Sequence, residues 1–247
     1  AYIFQHSDKR IIFAIPYEKD FTLIGTTDID YEGNPDAVKI SSEEINYLCE
    51  VISHYFTTTV SPQDVRFSYA GVRPLLCQET TNPSVVTRDY RLEWEPQPAL
   101  LSIFGGKITT YRKLAEEALA LIYGNATQSW TSHAPLPGGD ISDFSEFLNH
   151  MRRTYAALPA ELVERYARTY GSKMDALLKK GLGEAFGDGL YEAEVRYLIE
   201  YEWAQTAEDI LWRRTKLGLH ISAETGEKLE EWLAQSRNIL PRREIND

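Results

Sequence analysis

Apolar and polar positions in the first third of the chain alternate in a way that predicts short strands and one helix. Two apolar runs, 10–16 and 21–25, are strand-like, and the polar connection between them, 17–20, has the length of a hairpin turn. An apolar stripe with helical spacing follows at 45–55, and this stripe predicts a helix that packs against a core. We expect the helix to begin near residue 41, with Ser42 as its cap.

A further strand-like run, 99–104, leads into a pair of glycines, Gly105 and Gly106, after which helical periodicity resumes. Glycines at such a junction allow the backbone to approach a ligand closely. The following helix adds N–H groups and the positive end of its dipole, next to the charge of Lys107. The pattern predicts an α/β domain with mixed or antiparallel strands, and a site for an anion or an electron-rich ring at the turn. A purely structural strand-to-helix turn is the alternative.

The second half of the chain is almost wholly helical in pattern. A connector at 133–140 contains two prolines and two glycines, which indicates a boundary between domains. Helical patterns follow at 143–157, 159–170, 172–180, 190–203, 206–217 and 223–236. We therefore predict an α/β (α+β) domain at 1–125, a linker at 126–142 and an all-α C-terminal domain at 143–247.

Composition excludes several classes of function. The formal net charge of −11 argues against a nucleic-acid partner. The two cysteines form no Cys-x-x-Cys unit, which favours a reduced, cytoplasmic setting. The five histidines show no metal-ligand spacing, so we predict no metal. Because no apolar run approaches the length of a membrane span, we expect any membrane contact to be peripheral, at the cytoplasmic face.

Two arginines precede the glycine turn within short characteristic segments. Arg73 lies in Ala-Gly-Val-Arg-Pro-Leu at 70–75, and Arg88 lies in Thr-Arg-Asp-Tyr at 87–90. Together with Phe-Gly-Gly-Lys at 104–107, these segments resemble the flavin-dependent glycerol-3-phosphate dehydrogenases. Four more segments extend the resemblance in family order: 11–17, 22–28, 136–139 and 206–218.

The resemblance implies a cofactor, a substrate and a set of site residues. The cofactor is FAD, the substrate is glycerol 3-phosphate, and the electrons pass to quinone or another acceptor. Arg73 and Arg88 are the implied catalytic residues and, with Lys107, the implied substrate-binding residues, since arginine holds phosphate or a substrate oxygen at two points. The implied flavin contacts are Gly105, Gly106, Lys107, Thr109 and Thr110.

Structural roles remain open for the same residues. Either arginine could pair with a carboxylate, such as Asp64 or Asp89, and the two threonines could simply cap the helix. For the general base, neither spacing nor context selects between His6 and His54.

The sequence lacks the dinucleotide-binding unit that such enzymes begin with, which is a strand, Gly-x-Gly-x-x-Gly and a helix. The nearest glycine cluster, 181–189, follows a helical pattern, and we interpret it as a helix end and a loop. We therefore expect the substrate-side, C-terminal part of a flavoenzyme that needs an N-terminal FAD-binding half as partner. We expect little FAD binding and little or no activity from this chain alone.

Two other functions remain as alternatives. An oxidase of the same scaffold would pass electrons to oxygen, and a non-catalytic module would bind a phosphate or a partner. A homodimer is kept as a candidate assembly.

Overall fold

The computed structural model describes residues 1–73, 89–124 and 128–236. The chain divides into two compact units, 1–134 and 135–247. The division falls inside the range 126–142, and the domain bounds derived from the sequence remain a prediction.

The first unit begins with a three-stranded antiparallel sheet. Its strands are β1 (Tyr2–Gln5), β2 (Ile11–Tyr17) and β3 (Phe21–Gly25), in the order β1-β2-β3. The predicted hairpin between the two apolar runs is thereby confirmed, with Tyr17 paired to Phe21.

Helix α1 (Ser42–Tyr55) packs on one face of this sheet. Ile12 and Ala14 of β2 are buried there against Leu48 and Ile52 of the helix. The helix agrees with the predicted stripe, and its apolar side provides most of the core of this unit.

The cap of α1 is one residue earlier than the sequence analysis expects. Ser41, not Ser42, is the cap: its Oγ accepts from the backbone N–H of Glu44 at 3.1 Å. The Glu44 carboxylate in turn accepts from the Ser41 backbone N–H at 2.9 Å. Only Ser41 has a glutamate three positions later, so only Ser41 can form this reciprocal capping box.

A second, two-stranded antiparallel sheet leads to the glycine turn. It consists of β4 (Tyr90–Pro96) and β5 (Ala99–Gly105), and α2 (Tyr111–Tyr123) follows the turn. Both predicted elements of this region, the strand and the helix after it, are present.

Glu116 of α2 binds two side chains of the segment that follows the helix. Its carboxylate accepts hydrogen bonds from the hydroxyls of Ser129 and Thr131, and from Arg112 Nη1 at 2.9 Å. The hydroxyl hydrogen bonds, together with the neighbouring cations, lower the pKa of Glu116 to about 2. The carboxylate therefore stays ionised, and holds this segment, over the whole neutral range.

The two units differ sharply in how much core the described residues form. The first unit buries six hydrophobic residues, whereas the second buries twenty. In the first unit, the sheet face opposite α1 exposes Ile3 (68%), Ile11 and Phe13. An antiparallel strand that faces water normally places polar residues on that side, so an apolar outer face is typical of a sheet that packs against further protein.

The second unit is built from five α-helices and a π-helix in its described residues. Their bounds are α3 (Phe144–Thr154), α4 (Ala160–Tyr170), α5 (Met174–Leu178), α6 (Glu192–Glu202), α7 (Ala223–Ser236) and the π-helix Asp209–Arg214. Two predicted helices differ in kind. The pattern at 172–180 becomes a 3₁₀ turn followed by the short α5, and much of the pattern at 206–217 becomes the π-helix.

The expectation of an all-α second domain is wrong in one respect. Strands β6 (Ala185–Gly187) and β7 (Leu190–Tyr191) form a small antiparallel hairpin. The first strand lies in the region predicted as a helix end and a loop, and the second lies at the start of the helix predicted at 190–203. The chain reverses at Gly187, Asp188 and Gly189, all of which have positive φ. The hairpin forms because this turn brings two apolar residues, Phe186 and Leu190, into the helical core, where both are fully buried.

A buried ion pair joins two helices of the second unit to the hairpin. Glu194 of α6 is fully buried and accepts from both terminal nitrogens of Arg165 in α4, at 2.6 and 2.7 Å. The Tyr170 hydroxyl donates to the same carboxylate at 2.6 Å, and Arg165 Nη2 also donates to the Gly189 carbonyl at 2.8 Å. Burial, and then the Glu194 charge, raise the pKa of Tyr170 well above its usual range.

Candidate functional site

The glycine turn at the end of β5 has a backbone that favours glycine at both positions. Gly105 has φ +70° and Gly106 has φ +102°. A Cβ atom added at Gly106 would lie 3.5 Å from Leu114 Cδ1 and 3.5 Å from Tyr90 Cβ, which is ordinary van der Waals contact. The described residues therefore do not crowd this position, and the missing side chain allows a ligand to approach the backbone closely.

A single 3₁₀ turn, Ile108–Thr110, separates the glycine pair from α2. The helix therefore begins at Tyr111, several residues later than directly after the glycines. Thr110 occupies the N-cap position of α2, but its hydroxyl donates to the Lys107 carbonyl at 3.1 Å and makes no cap hydrogen bond. Its backbone N–H donates to the same carbonyl at 3.0 Å. The structural alternative, in which Thr110 caps the helix, is thus not what the geometry shows for this residue.

Lys107 lies at this turn, and the ionic neighbour that the described residues provide for its ammonium group is distant. Its Nζ is 4.0 Å from Asp89 Oδ1, and the Asp89 side chain is 80% exposed. An ion pair that is so long and so exposed binds the ammonium weakly. Lys107 therefore adds positive charge to the N-terminal end of the turn and helix, where a dipole already favours anions.

Tyr90 connects the strand before the turn to the helix after it. It pairs with Gly105 in the β4–β5 ladder, and its hydroxyl hydrogen-bonds to Glu117 of α2, which raises the pKa of Tyr90. The sheet and the helix are thus tied on both sides of the turn. A groove of about 490 Å³ between β4 and α2 is lined by Tyr90, Arg91, Leu92, Glu117, Ala120 and Leu121. Of the predicted site residues that the structure describes, none lines this groove.

Arg73 makes a contact that the sequence analysis did not foresee. Its Nη1 donates to Asp28 Oδ2 at 3.0 Å, rather than to Asp64 or Asp89. Asp64 instead accepts from the backbone and the hydroxyl of Ser61, at 2.9 and 2.7 Å, at the start of a 3₁₀ turn. The contacts of Arg73 in the described part of the chain lead to the loop after β3, not to the glycine turn.

Of the other residues singled out from the sequence, Arg88 lies outside the described residues. His6 is in the turn after β1, where its Nδ1 is 3.3 Å from Asp8 Oδ1 and its ring meets Tyr47 edge-on. His54 is in the last turn of α1, edge-on to Tyr55. These contacts do not select either histidine as a base.

The described ranges contain neither a cluster of metal ligands nor a membrane-spanning helix. Within 1–73, 89–124 and 128–236, no group of three or more His, Cys, Asp or Glu side chains is arranged to hold a metal ion. Across the same residues, every helix is too short or too polar to cross a membrane.

The turn has the features that one side of a flavin requires. It offers close backbone approach at Gly106, a helical N-terminus and the Lys107 cation. The sequence has no Gly-x-Gly-x-x-Gly unit after a strand to hold the pyrophosphate of a dinucleotide. These residues therefore fit contact with the ring end of FAD, but not the binding of the whole cofactor.

Comparison with known families defines the class of protein. Residues 1–112 match the family model of the FAD dependent oxidoreductases, and residues 129–236 match that of the C-terminal domain of alpha-glycerophosphate oxidase. Residues 1–112 therefore belong to the FAD dependent oxidoreductase family.

Individual relatives narrow the class. The chain is 45% identical to the aerobic glycerol-3-phosphate dehydrogenase of Escherichia coli, over 95% of this chain and 49% of that protein. It is 48% identical to a glycerol-3-phosphate dehydrogenase of Pseudomonas aeruginosa, over 98% of this chain and 50% of that protein. It is also 46% identical to a D-erythritol 1-phosphate dehydrogenase of Brucella abortus, over 94% and 49%. The resemblance stated from the sequence motifs is thereby confirmed, and the chain spans about half the length of these curated relatives.

Sequence reasoning missed Asp28 and the residues that hold it. Asp28 ends the segment 22–28, which is one of those that carry the family resemblance. An acidic residue directly after a strand was therefore a usable signal. Its partner could not be found from the sequence, because Asp28 and Arg73 are 45 positions apart.

Proposed function

We propose that the chain is the substrate-side part of an FAD-dependent dehydrogenase that oxidises glycerol 3-phosphate to dihydroxyacetone phosphate. The observation that carries the proposal is the turn at Gly105–Lys107, which combines an open backbone, a helical N-terminus and a cation within the range that matches the flavin-dependent family. The named activities of the relatives support the choice of substrate class.

Oxidation at C2 of glycerol 3-phosphate requires the protein to hold a dianion and to stabilise charge on the reacting oxygen. When bound, FAD supplies a ring that accepts the hydride from C2. Arg73 and Arg88 orient the substrate and stabilise the oxygen charge, since a guanidinium stays protonated and binds through two parallel hydrogen bonds. Lys107 contacts the substrate phosphate or the flavin.

The glycine turn contributes by allowing close approach. Gly105 and Gly106 would contact the flavin, and N–H groups of the turn, with Thr109, would face its electron-rich end. Thr110 supports the turn instead, because its N–H and its hydroxyl both donate to the Lys107 carbonyl. The positive end of α2 and the 3₁₀ turn then stabilise the negative charge that the ring gains on reduction.

The active site is completed by an N-terminal FAD-binding half. The lack of a dinucleotide-binding unit in this sequence supports this, as does the small core of the first unit with its apolar outer sheet face. The curated relatives are about twice as long as the part that the chain covers. Quinone, or another acceptor, takes the electrons.

The direct test of the site is Arg73→Ala in the complete enzyme. Loss of a contact to developing oxygen charge should remove about 3 kcal/mol of transition-state stabilisation, a factor of about 150 in kcat/KM. The assay is dye-coupled oxidation of glycerol 3-phosphate, with FAD content measured on the same samples.

Arg91→Ala is the matched control. Arg91 is also an exposed arginine of the first unit, paired with Glu93 at 2.8 Å, but it lies in β4 and has no proposed role in catalysis. Equal activity of Arg73→Ala, Arg91→Ala and wild type would remove Arg73 from the site.

D-Erythritol 1-phosphate is the second candidate substrate, because a dehydrogenase named for it is as similar to the chain as the glycerol-3-phosphate enzymes are. In both compounds, the carbon that carries the phosphate is next to a carbon with a secondary hydroxyl group. The same cationic side chains could therefore bind either compound. Comparing kcat/KM for the two substrates decides between them. A ratio of more than about tenfold in favour of D-erythritol 1-phosphate would overturn the proposed substrate but leave the reaction type standing.

Two outcomes would point to the alternative functions. Stoichiometric release of hydrogen peroxide during turnover without dye would identify an oxidase. Saturable binding of a phosphate ester by a complete protein that contains no flavin would identify a binding module.

A further inference from the structure

The ion pair between Arg73 and Asp28 carries an inference that rests on the proposed function. We infer that Asp28 is a positioning residue, which holds the guanidinium of Arg73 in the orientation that receives the substrate. The N-terminal cap of α1 holds Asp28 in place through Thr27.

The ion pair between Arg73 and Asp28 orients the arginine side chain but contributes little to the stability of the fold. Arg73 Nη1 lies 3.0 Å from Asp28 Oδ2, with side-chain exposures of 45% for Arg73 and 27% for Asp28. Ion pairs this exposed contribute little to stability. The pair does restrict the long arginine side chain, whose free rotation would otherwise have to be lost when the substrate binds.

The geometry leaves the guanidinium able to bind an anion. The contact to Asp28 uses Nη1, and within the described residues it is the hydrogen bond that orients the group. Nε and Nη2 share another edge of the planar group and can form the paired hydrogen bonds that phosphate or a substrate oxygen accepts. A carboxylate would repel a phosphate dianion, so the proposed role of Asp28 is to position Arg73 rather than to contact the substrate.

Asp28 is attached to a rigid part of the first unit. Its neighbour Thr27 donates its hydroxyl hydrogen bond to Glu44 Oε1. The other oxygen of Glu44 accepts from the Ser41 backbone N–H at 2.9 Å, in the capping box of α1. One carboxylate thus joins the helix N-terminus to the loop after β3.

Glu44 remains an acceptor at neutral pH. Partial burial opposes its ionisation, but the hydrogen bonds from Ser41 and Thr27 outweigh burial and lower its pKa. The contacts from α1 to Arg73 therefore run through Glu44, Thr27 and Asp28.

The test is Asp28→Asn in the complete enzyme, which keeps the size of the side chain but removes its charge. Because a misdirected binding group costs about tenfold to a hundredfold, kcat/KM for glycerol 3-phosphate should fall by that factor. FAD content and Tm should not change. Asp28→Glu keeps the charge and should recover part of the loss.

The control is Glu93→Gln, which breaks the Arg91–Glu93 pair in the same unit and should leave kcat/KM unchanged. A double variant, Asp28→Asn with Arg73→Ala, shows whether the two residues act as one. If Asp28 acts through Arg73, the double variant is no less active than Arg73→Ala alone.

The outcomes separate this inference from the proposed function. Wild-type activity of Asp28→Asn, beside an impaired Arg73→Ala, overturns the inference alone. So does a double variant whose loss is the product of the two single losses. Wild-type activity of Arg73→Ala overturns the proposed role of Arg73, and the inference with it.

Discussion

Substituting alanine for Gly106 separates the two reasons for a glycine at that position. The first reason is the backbone, since Gly106 has φ +102°. The second is the ligand, because a Cβ atom would stand where the backbone is proposed to approach the flavin. The two reasons predict effects on different measurements.

The structure sets the magnitude of the first effect. Among the described residues, the nearest atoms to the added Cβ, Leu114 Cδ1 and Tyr90 Cβ, are both at 3.5 Å, so none of them collides with it. What remains is the conformational penalty for an L-residue at φ +102°, about 1–3 kcal/mol. Gly106→Ala should therefore lower the free energy of unfolding by that amount and no more.

Gly124→Ala provides the matched control. Gly124 ends α2 with φ +74° and ψ 174°, and a Cβ there meets no described residue within 4 Å. A backbone penalty of about 1–3 kcal/mol applies here too, away from the proposed ligand. In the complete enzyme, we expect both variants to show a similar fall in Tm, but only Gly106→Ala to lose FAD content or kcat/KM by more than tenfold.

A Gly106→Ala enzyme with wild-type FAD content and turnover would refute the reasoning, because it would show that no ligand comes close to this turn. Equal loss of activity in both glycine variants would also refute it, since the effect would then follow from strain alone.

Three further predictions follow from other contacts. Glu194→Ala leaves Arg165 without its buried partner and should lower the free energy of unfolding by about 3–5 kcal/mol in urea denaturation, whereas the half-exposed Glu164, changed to Gln, should cost less than about 1 kcal/mol. Glu116 has a pKa lowered from 4.5 to about 2, so its hold on Thr131 is complete above about pH 4.5 and is lost as the pH falls towards 2; the protection of amides near Thr131, relative to their intrinsic exchange rate at each pH, should fall in that window, and Glu116→Gln should remove this pH dependence. A flavin titration of the isolated chain, followed by absorbance and fluorescence, should show no stoichiometric FAD binding; tight binding with dye-coupled turnover would contradict the need for a second half.

The sequence was sufficient wherever one local rule determined the structure. The hairpin of β2 and β3, the apolar stripe of α1 and the glycine junction after β5 all follow from spacing and residue type, and all three are present. The spacing of apolar residues indicates which face of a helix or strand is buried, even when the elements that pack against this face are not known.

The predictions from sequence were wrong where two local rules favoured different residues, or where packing against distant parts of the chain determined the local structure. Ser41 and Ser42 are both acceptable caps, and only the reciprocal bond with Glu44 distinguishes them. The β6–β7 hairpin depends on the burial of Phe186 and Leu190 in a core formed by distant helices. Helical spacing could not distinguish an α-helix from the π-helix at 209–214, since the two differ by one residue in their hydrogen bonds.

The candidate site shows the same division. Its residue types and the glycine turn could be identified from the sequence and the family resemblance. The partner of Arg73 could not, because an ion pair across 45 positions leaves no local pattern. The sequence analysis considered Asp64 and Asp89 as partners, which are closer in the chain, and both have other contacts in the structure.

An absorbance spectrum of the complete protein, recorded without oxygen before and after addition of glycerol 3-phosphate, shows whether the protein is a flavin-dependent glycerol-3-phosphate dehydrogenase. We expect a flavin spectrum that is bleached by the substrate, with one equivalent of dihydroxyacetone phosphate formed per flavin, and no bleaching by glycerol. A complete, folded protein that contains no flavin, or a flavin that glycerol 3-phosphate does not reduce, would contradict it.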